Sequence, residues 1–223
     1  MRVATYNIRH GAPESRRADS RAMATAVASL DADVVALQEV DRHVVRSYFV
    51  DQARVAAQRN AATAHFAPVR CMGPGGTYGN ALLVRGRTLT RRDMMLPSRG
   101  EPRGAVFARV AIGDTELTVV ATHLQNRRPG QPSEAPDQLA HLFDELARWP
   151  EPWCVMGDLN LRSDTVVPMA GTAGLTAVEA GATFPARSPR LDLDWILLRG
   201  LSVASVDVPD LRTSDHRPVV VGL

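Results

Sequence analysis

Short runs of hydrophobic residues recur along the whole chain and predict a protein rich in β-strands. These runs are enriched in Val, Leu and Ile and are bounded by Gly, Pro, Asp or Asn, as is typical of strands. Gly113-Asp114 predicts one tight hairpin, and a bend at Arg199-Gly200 predicts another within residues 197–203. The predicted strands cover residues 2–8, 34–38, 64–69, 80–84, 105–112, 116–122, 153–157, 193–198, 201–206 and 218–221.

Three windows carry the spacing of amphipathic helices instead, at residues 17–30, 50–59 and 135–148. In the last window Leu139, Leu142 and Leu146 recur at three- and four-residue steps, and Pro150 ends the helix. The loops rich in glycine and proline, such as residues 97–104, are too short to link two separate cores. We therefore predict a single domain over residues 1–223, with two packed sheets and helices on their outer faces.

The composition is that of an ordinary soluble protein. Of the 223 residues, 45% are hydrophobic and 22% are charged, which excludes collagen-like and disulfide-scaffold classes. All 26 basic residues are arginine, so lysine-based chemistry is excluded, and 24 acidic residues leave a net charge of +2. A protein held to nucleic acid by bulk charge alone would be far more basic.

The sequence favours a reducing compartment. Its two cysteines, Cys71 and Cys154, are too few for a disulfide framework. No stretch reaches the roughly 18 apolar residues of a membrane span, and the polar N-terminus lacks the features of a signal peptide. We expect a cytoplasmic monomer with no membrane span.

Polar side chains that can do chemistry stand at the ends of several predicted strands. Taken singly, an Asn or Asp at such a position is most often a turn former. Their recurrence predicts that they meet, because sites assemble where the strand ends of one scaffold come together. These residues are Asn7, Glu39, His123, Asp158, Asn160, Asp215 and His216.

Seven short strings stand at or near these positions: Thr5-Tyr6-Asn7-Ile8-Arg9, Leu37-Gln38-Glu39-Val40, Tyr78-Gly79-Asn80-Ala81-Leu82-Leu83, Ala121-Thr122-His123-Leu124, Gly157-Asp158-Leu159-Asn160, Leu193-Asp194-Trp195-Ile196-Leu197 and Ser214-Asp215-His216-Arg217-Pro218. Together they resemble the motifs of the endonuclease/exonuclease/phosphatase family, whose members include deoxyribonuclease I, apurinic endonucleases, neutral sphingomyelinases and inositol polyphosphate 5-phosphatases. Each string is weak evidence alone, but the set follows the family's order over nearly the whole chain.

The resemblance implies a four-layer α/β-sandwich, in which two packed mixed β-sheets are flanked by helices. It also implies a divalent-metal-dependent hydrolase that cleaves a phosphoester bond by in-line attack of an activated water. Phosphoryl transfer needs mainly positioning and charge stabilisation, and a hard cation with oxygen ligands supplies much of the latter. Because the chain offers acids and amides but no CxxC or HExxH pattern, the expected cofactor is Mg²⁺ or Mn²⁺ rather than a structural Zn²⁺.

The resemblance assigns metal binding to three residues and substrate binding to two. Glu39 matches the family's main metal ligand, Asn7 matches the amide beside it, and Asp215 matches an acid of the metal site or its surroundings. Asn80 is expected to contact phosphate, with a structural role equally open. Arg103, on a loop before a strand, is expected to bind substrate.

Five further residues are assigned to catalysis by the same resemblance. Asp158 and His216 jointly match the groups that activate the attacking water, and Asn160 matches an amide that contacts the phosphate. Asp194 matches the carboxylate that fixes the tautomer of the essential histidine. His123 is expected to donate a hydrogen bond to a phosphate oxygen as charge builds on it.

The substrate stays open at this level. His123, and Arg9 where apurinic endonucleases carry an acid, oppose abasic-site repair. We expect a phosphodiester or phosphomonoester of the small-molecule or lipid-headgroup kind, with a DNA or RNA nuclease as the alternative. A catalytically silent binding module is a further alternative, which the complete set of site residues opposes. Loops at residues 9–18, 71–78 and 126–136 are expected to set specificity.

Overall fold

The fold is taken from a computed structural model, which describes residues 1–13, 17–127 and 130–223. Residues 14–16 and 128–129, which belong to two of the loops expected to set specificity, lie outside the described residues. Across the described ranges, no helix combines the length and the apolar character that crossing a membrane requires.

β-Strands are the most abundant regular structure among the described residues. In chain order they are β1 (Arg2–Asn7), β2 (Val34–Arg42), β3 (Thr63–Cys71), β4 (Thr77–Val84), β5 (Arg87–Leu96), β6 (Arg103–Ile112), β7 (Thr115–His123), β8 (Trp153–Asp158), β9 (Thr176–Ala177), β10 (Asp194–Arg199), β11 (Ser205–Asp207) and β12 (Val219–Gly222). They form a first sheet of order β11-β12-β1-β2-β4-β3 and a second of order β5-β6-β7-β8-β10-β9. Each sheet contains one parallel pair, β1 with β2 and β7 with β8, among antiparallel neighbours.

Within the described ranges, four α-helices accompany the sheets: α1 (Ser20–Ser29), α2 (Gln52–Arg59), α3 (Ala135–Leu146) and α4 (Ser163–Thr172). The first two begin at aspartates that satisfy free backbone N–H groups. Asp19 accepts hydrogen bonds from the N–H groups of Arg21 and Ala22, and Asp51 accepts one from Arg54. The sequence therefore marks where these two helices start.

Buried apolar side chains form three cores that separate four layers. In the central core, residues of the first sheet such as Val34 pack against residues of the second such as Val119. Met23 of α1 and Ala56 of α2 pack on the outer face of the first sheet. Leu142 of α3 packs on the outer face of the second sheet, together with residues of α4. The four-layer α/β-sandwich expected from the sequence is confirmed.

Two strand predictions need correction. β2 continues past Gln38 to Arg42, with a bulge in its pairing with β4 that lets it carry on. The strand predicted at residues 201–206 and its hairpin are wrong, because β10 already has β8 and β9 as its two neighbours. The chain instead leaves the second sheet after Gly200, and only Ser205–Asp207 extends, pairing with β12 at the edge of the first sheet.

Candidate active site

The parallel pair of the first sheet brings Asn7 and Glu39 together. Asn7 ends β1 opposite Gln38 of β2, so Glu39 is the next residue at the same end of the sheet. Glu39 lies in the bulge of β2 with a left-handed φ of 58°, which turns its side chain out of the regular strand alternation. Its Oε1 accepts a hydrogen bond from Asn7 Nδ2 at 3.1 Å.

The parallel pair of the second sheet does the same for His123 and Asp158. These residues end β7 and β8 and are register partners. His123 Nε2 lies 3.4 Å from Asp158 Oδ2. The same Oδ2 accepts a hydrogen bond from Asn7 Nδ2 at 3.0 Å, so one amide group joins the two sheets.

His216 and Asp194 complete the centre from two further segments. Asp194 begins β10 directly opposite Asp158, and His216 lies in the loop before β12. His216 Nδ1 is 2.8 Å from Asp194 Oδ2, which also accepts a 2.6 Å hydrogen bond from the Thr183 hydroxyl. Because Nδ1–H donates to this carboxylate, the other ring nitrogen faces Asp158 Oδ2, at 3.7 Å.

The electrostatics of this cluster separate a proton carrier from a proton acceptor. Burial disfavours a charged His216 ring, but the Asp194 and Asp158 carboxylates outweigh burial and raise the pKa of His216 to about 10. Burial raises the pKa of Asp158 to about 7, against the lowering effect of His216. At neutral pH the ring of His216 is therefore cationic, while Asp158 lies close to its point of ionisation.

His123 is held in the opposite state by Arg103. Arg103 is buried, and its Nη1 lies 3.1 Å from His123 Nδ1. A guanidinium can only donate, so Nδ1 accepts and the one proton of the neutral ring resides on Nε2. Burial, helped by the charges of Arg103 and His216, holds the pKa of His123 well below its ordinary value. His123 is thus a neutral hydrogen-bond donor that faces the site.

Asn160 is fixed beside these groups by backbone geometry. It has a left-handed φ of 50°, and its N–H donates to Asp158 Oδ1 at 3.0 Å. Its side-chain Nδ2 donates to the Leu124 carbonyl at 3.1 Å. It also lies 3.1 Å from His123 Nε2, but the two atoms do not hydrogen-bond to each other because both carry protons in this tautomer. The turn from Asp158 to Asn160 therefore places the Asp158 carboxylate and the Asn160 side-chain amide side by side at the site.

The donor chemistry around Glu39 fits a hard divalent cation. Burial, followed by the nearby Asp215 carboxylate, raises the pKa of Glu39 despite the Asn7 hydrogen bond. A bound cation would offset both the cost of burying the charged Glu39 carboxylate and its repulsion from Asp215. The available donors are carboxylate and amide oxygens, which such a cation prefers. Donor atoms of Asp158, Asp194 and His216 also lie within 4.8 Å of one another, but a proton between His216 and Asp194 already occupies that buried trio.

A cleft of about 410 Å³ opens above these residues. Six residues expected from the sequence line it: Glu39, Arg103, His123, Asp158, Asn160 and His216. Sequence reasoning missed other lining residues, because no motif surrounds them and only tertiary folding brings them here. Among these are Arg46, Arg70 and Phe184, whose ring centroid lies 4.8 Å from that of His216. Tyr78, which begins one of the seven strings, and Glu101, two residues before Arg103, also line the cleft.

Four predicted site residues are not part of the cleft lining. Asn7 and Asp194 lie behind it and contact lining residues, as described above, whereas Asn80 and Asp215 have other partners. The Nδ2 group of Asn80 donates to the Gly104 carbonyl at 2.8 Å and so ties β4 to the start of β6. Asp215 Oδ2 is 3.3 Å from Arg9 Nε, and its Oδ1 accepts a hydrogen bond from the Ser214 hydroxyl. Asp215 therefore lies at the edge of the centre, whereas Asn80 makes a contact within the scaffold.

Residues 4–216 match the sequence profile of the Endonuclease/Exonuclease/phosphatase family. A protein named UPF0294 from Vibrio cholerae is 33% identical over 129 residues, which is 54% of this chain and 44% of that protein. The chain thus matches less than half the length of this curated relative.

Solved structures share the fold at low sequence identity. The endonuclease/exonuclease/phosphatase of Beutenbergia cavernae is 22% identical with a TM-score of 0.81, over 99% of this chain and 70% of that one. The D. rerio TDP2 complexed with a single-strand DNA product is 18% identical with a TM-score of 0.74, over 99% of this chain and 97% of that one. These likenesses extend over both sheets of the sandwich.

Proposed function

Because the chain belongs to the Endonuclease/Exonuclease/phosphatase family, we propose that it is a divalent-metal-dependent phosphoesterase that hydrolyses a phosphodiester bond by in-line attack of water. One observation carries the proposal. A single amide, Asn7 Nδ2, contacts Glu39 on the metal-binding side and Asp158 on the proton-transfer side, at 3.1 and 3.0 Å. This shared contact supports a site in which the metal-binding and proton-transfer groups act together.

Glu39, Asn7 and Asp215 would hold the cation, as the oxygen donors of the first sheet and of the loop before β12. When bound, Mg²⁺ or Mn²⁺ would offset the negative charge of the phosphate group. Asn7 presents Nδ2 to the two carboxylates while its Oδ1 accepts the Arg9 N–H at 3.0 Å. As a ligand it would turn the amide oxygen inward by rotation of the side-chain amide. That rotation would exchange the Arg9 hydrogen bond and the two Nδ2 contacts for the cation, which would then join Asn7 to the carboxylates in place of the amide N–H groups.

Asp158 is the base in this proposal. It accepts the proton of the attacking water, because a pKa of about 7 leaves much of it ionised at neutral pH while keeping it basic. His216 cannot accept that proton at neutral pH, since its ring is already charged. It contributes positive charge beside the phosphate and a proton for the leaving oxygen, held in one tautomer by Asp194.

His123 and Asn160 bind the phosphate oxygens as charge develops there. The Nε2–H group of His123 donates without adding charge, and Arg103 behind it fixes that tautomer. Arg103 thus supports a donor in addition to lining the cleft. Asn80 enters the proposal only as a support for the start of β6.

The test is a panel of phosphoesters with Mg²⁺ or Mn²⁺, namely bis-p-nitrophenyl phosphate, p-nitrophenyl phosphate, plasmid DNA, RNA, inositol phosphates and sphingomyelin. We expect turnover of the diester that EDTA abolishes and added metal restores, and no preference for abasic over intact DNA. Selective cleavage of DNA or RNA would establish the nuclease alternative. Full turnover in chelator would refute the metal-dependent mechanism, and absence of all turnover would favour a silent binding module.

A further inference from the structure

The segment from His43 to Val50, here called the rim loop, joins β2 to α2 and folds as a tight, hydrogen-bonded turn. The His43 N–H donates to the Val50 carbonyl at 3.2 Å, and the Phe49 N–H donates to the Val44 carbonyl at 2.9 Å. Val44 and Ser47 are buried beneath the turn. The side chains that this loop presents are therefore held in fixed positions.

Two aromatic residues occupy backbone positions that favour glycine. Tyr48 has φ 57° and Phe49 has φ 60°, so both lie in the left-handed region. That region costs free energy for residues with a Cβ, above all for bulky ones. Aromatic side chains at two consecutive positions of this kind point to a use for the side chains themselves.

The rim loop also displays the most exposed apolar groups among the described residues. Val45 and Tyr48 are each 67% exposed and Phe49 is 61% exposed, whereas the next large hydrophobic side chain, Met95, is 53% exposed. Three neighbouring apolar groups that project together mark an interaction surface rather than a scattered exposure.

This apolar tip stands beside the cleft. Arg46, in the same turn, lines the cleft with its guanidinium 5.5 Å from the Tyr78 ring and paired with buried Asp41 at 2.8 Å. Tyr48 and Phe49 themselves are not among the residues that line the cleft. Their side chains are therefore exposed outside the cleft, next to a residue that lines it.

We propose that Val45, Tyr48 and Phe49 insert into the surface of a lipid bilayer and present the cleft to phosphodiester headgroups of membrane lipids. Aromatic side chains favour the boundary between headgroups and acyl chains, where an apolar body and a polar tip are both satisfied. Two arginines lie on either side of the tip in the chain: Arg54 is exposed, and Arg42 is paired with Asp51 at 3.4 Å. The exposed Arg54 complements the phosphates of the bilayer surface. The lipid substrate rests on the proposed phosphodiesterase activity, whereas the bilayer contact does not.

Nucleic acid fits the same surface less well. Nucleic-acid bases stack on aromatic rings that lie against a protein surface with one face open. The side chains of Tyr48 and Phe49 are about two thirds exposed and so stand away from the protein surface. Val45, as exposed as Tyr48, has no ring to stack. The protruding shape and mixed aliphatic and aromatic character therefore favour insertion into a bilayer.

Sedimentation with vesicles of phosphatidylcholine, alone or mixed with phosphatidylglycerol, tests the bilayer contact directly. We expect the wild-type chain to bind, more strongly when the anionic lipid is present. The double variant Tyr48→Gly/Phe49→Gly should lose binding by roughly tenfold or more, because two apolar side chains no longer enter the bilayer. Its melting temperature should be unchanged or higher, because glycine suits both left-handed positions.

The variant Val203→Ser/Val206→Ser, which changes two side chains that are each 42% exposed on another segment, is the matched control and should bind as the wild type does. Equal binding by the glycine variant, or no binding by the wild type, would overturn the proposal. The proposal would also be overturned if the wild type bound a single-stranded oligonucleotide but not vesicles, and if the glycine variant lost that oligonucleotide binding.

Activity separates this proposal from the function on which its substrate depends. The glycine variant should hydrolyse soluble bis-p-nitrophenyl phosphate within about twofold of the wild type, but lose roughly tenfold on a phosphodiester lipid in vesicles. If the wild type failed on the soluble diester, the proposed function would fall, while vesicle binding would still decide the bilayer contact. Equal losses on both substrates would show a role within the cleft and contradict bilayer insertion.

Discussion

At the scale of single residues, the pairing of His216 with Asp194 carries the first prediction. Asp194→Asn keeps the side-chain volume but removes the charge that helps to raise the pKa of His216. We expect kcat to fall by roughly 10²–10⁴, as in hydrolase triads that lose the corresponding carboxylate. Affinity for Mn²⁺, measured by calorimetry, should change little because Glu39 stays in place.

The control for this prediction is the double variant with His216→Ala. Residues that act as a unit give a double variant hardly slower than the slower single one. Losses that multiply would show that the 2.8 Å contact is incidental to catalysis. An Asp194→Asn enzyme within a few-fold of wild type would mean that the carboxylate only anchors the start of β10.

Asp158 gives a prediction about stability. Its pKa is raised from 3.8 to about 7 in the folded chain, so between about pH 4 and 7 the folded state binds more protons than the unfolded state. The contribution of Asp158 to the free energy of unfolding is therefore greatest near pH 4 and is lost as the pH rises to about 7. Asp158→Asn cannot ionise, so in EDTA at pH 8 it should be more stable than wild type by roughly 2–4 kcal/mol.

Guanidinium unfolding at pH 4.5 and pH 8 checks this prediction. The measurement at low pH is the internal control, because folded wild type then carries a neutral Asp158 and should resemble the variant. The same difference at both pH values would contradict a raised pKa. A stabilising change that abolishes turnover would mark Asp158 as a residue retained for chemistry at the expense of stability.

How much the sequence could foresee differs among residues. Asn7, His123 and Asp158 directly end their strands, so a motif and a strand boundary together locate them. Arg46 and Phe184 lie in no motif, and their place at the cleft depends on how distant segments pack. The contact of Arg103 with His123 joins β6 and β7, the hairpin that Gly113-Asp114 predicts. It was missed because Arg103 was expected on a loop before the strand, whereas it is the first residue of β6.

At the scale of elements, the site depends on the close approach of β7 and β8. Gly157 pairs with Thr122 one residue before Asp158 and His123. A Cβ at Gly157 would collide with the Thr122 carbonyl oxygen, so the two backbones can lie this close only without a side chain there. The glycine in the Gly157-Asp158-Leu159-Asn160 string is therefore part of the geometry of the site.

Gly157→Ala should force β7 and β8 apart at the end where His123 and Asp158 lie. We expect the free energy of unfolding to fall by about 1–3 kcal/mol, as for overpacked cores, and kcat to fall more than tenfold. Gly171→Ala on α4, where an added Cβ meets no neighbour, is the matched control. It should keep full activity and gain up to about 1 kcal/mol. A fully active Gly157→Ala enzyme would show that the close approach has no catalytic importance.

The elements that sequence reasoning missed have physical reasons. β5 is an edge strand whose arginines face solvent, so it lacks the hydrophobic run that marks a buried strand. Helix α4 contains Pro168, which indicates a break in the sequence although the helix continues through it. The 201–206 error arose because the neighbours of β10 are set by the whole sheet. Local patterns located the four strands of the parallel pairs and the edge strand β3, but not the edge strands β5 and β9.

At the scale of the whole molecule, the site spans two sheets that share one core. Asn7 and Glu39 come from the first sheet, while His123 and Asp158 come from the second, and the central core holds the sheets together. A cation bound by the first sheet and a phosphate bound by the second would therefore stabilise the folded state jointly. Stability measurements can detect this coupling without any turnover.

Thermal unfolding with Mn²⁺ and inorganic phosphate tests that coupling. At about 100 times its Kd, Mn²⁺ should add about 2.7 kcal/mol, or roughly 5–10 °C for a chain of this size. Phosphate should raise the melting temperature further with Mn²⁺ present and much less in EDTA.

Glu39→Gln should require far more Mn²⁺ for the same rise, because the charge that holds the cation is gone. Glu116→Gln, which changes an exposed acid at the opposite end of β7, is the matched control and should respond as wild type does. A full response from Glu39→Gln, with loss of the response in Asp194→Asn, would move the cation to the buried trio of Asp158, Asp194 and His216. A weakened response from Glu39→Gln, with a full response from Asp194→Asn, would instead confirm that Glu39 holds the metal. The trio would then be free to hold and move protons.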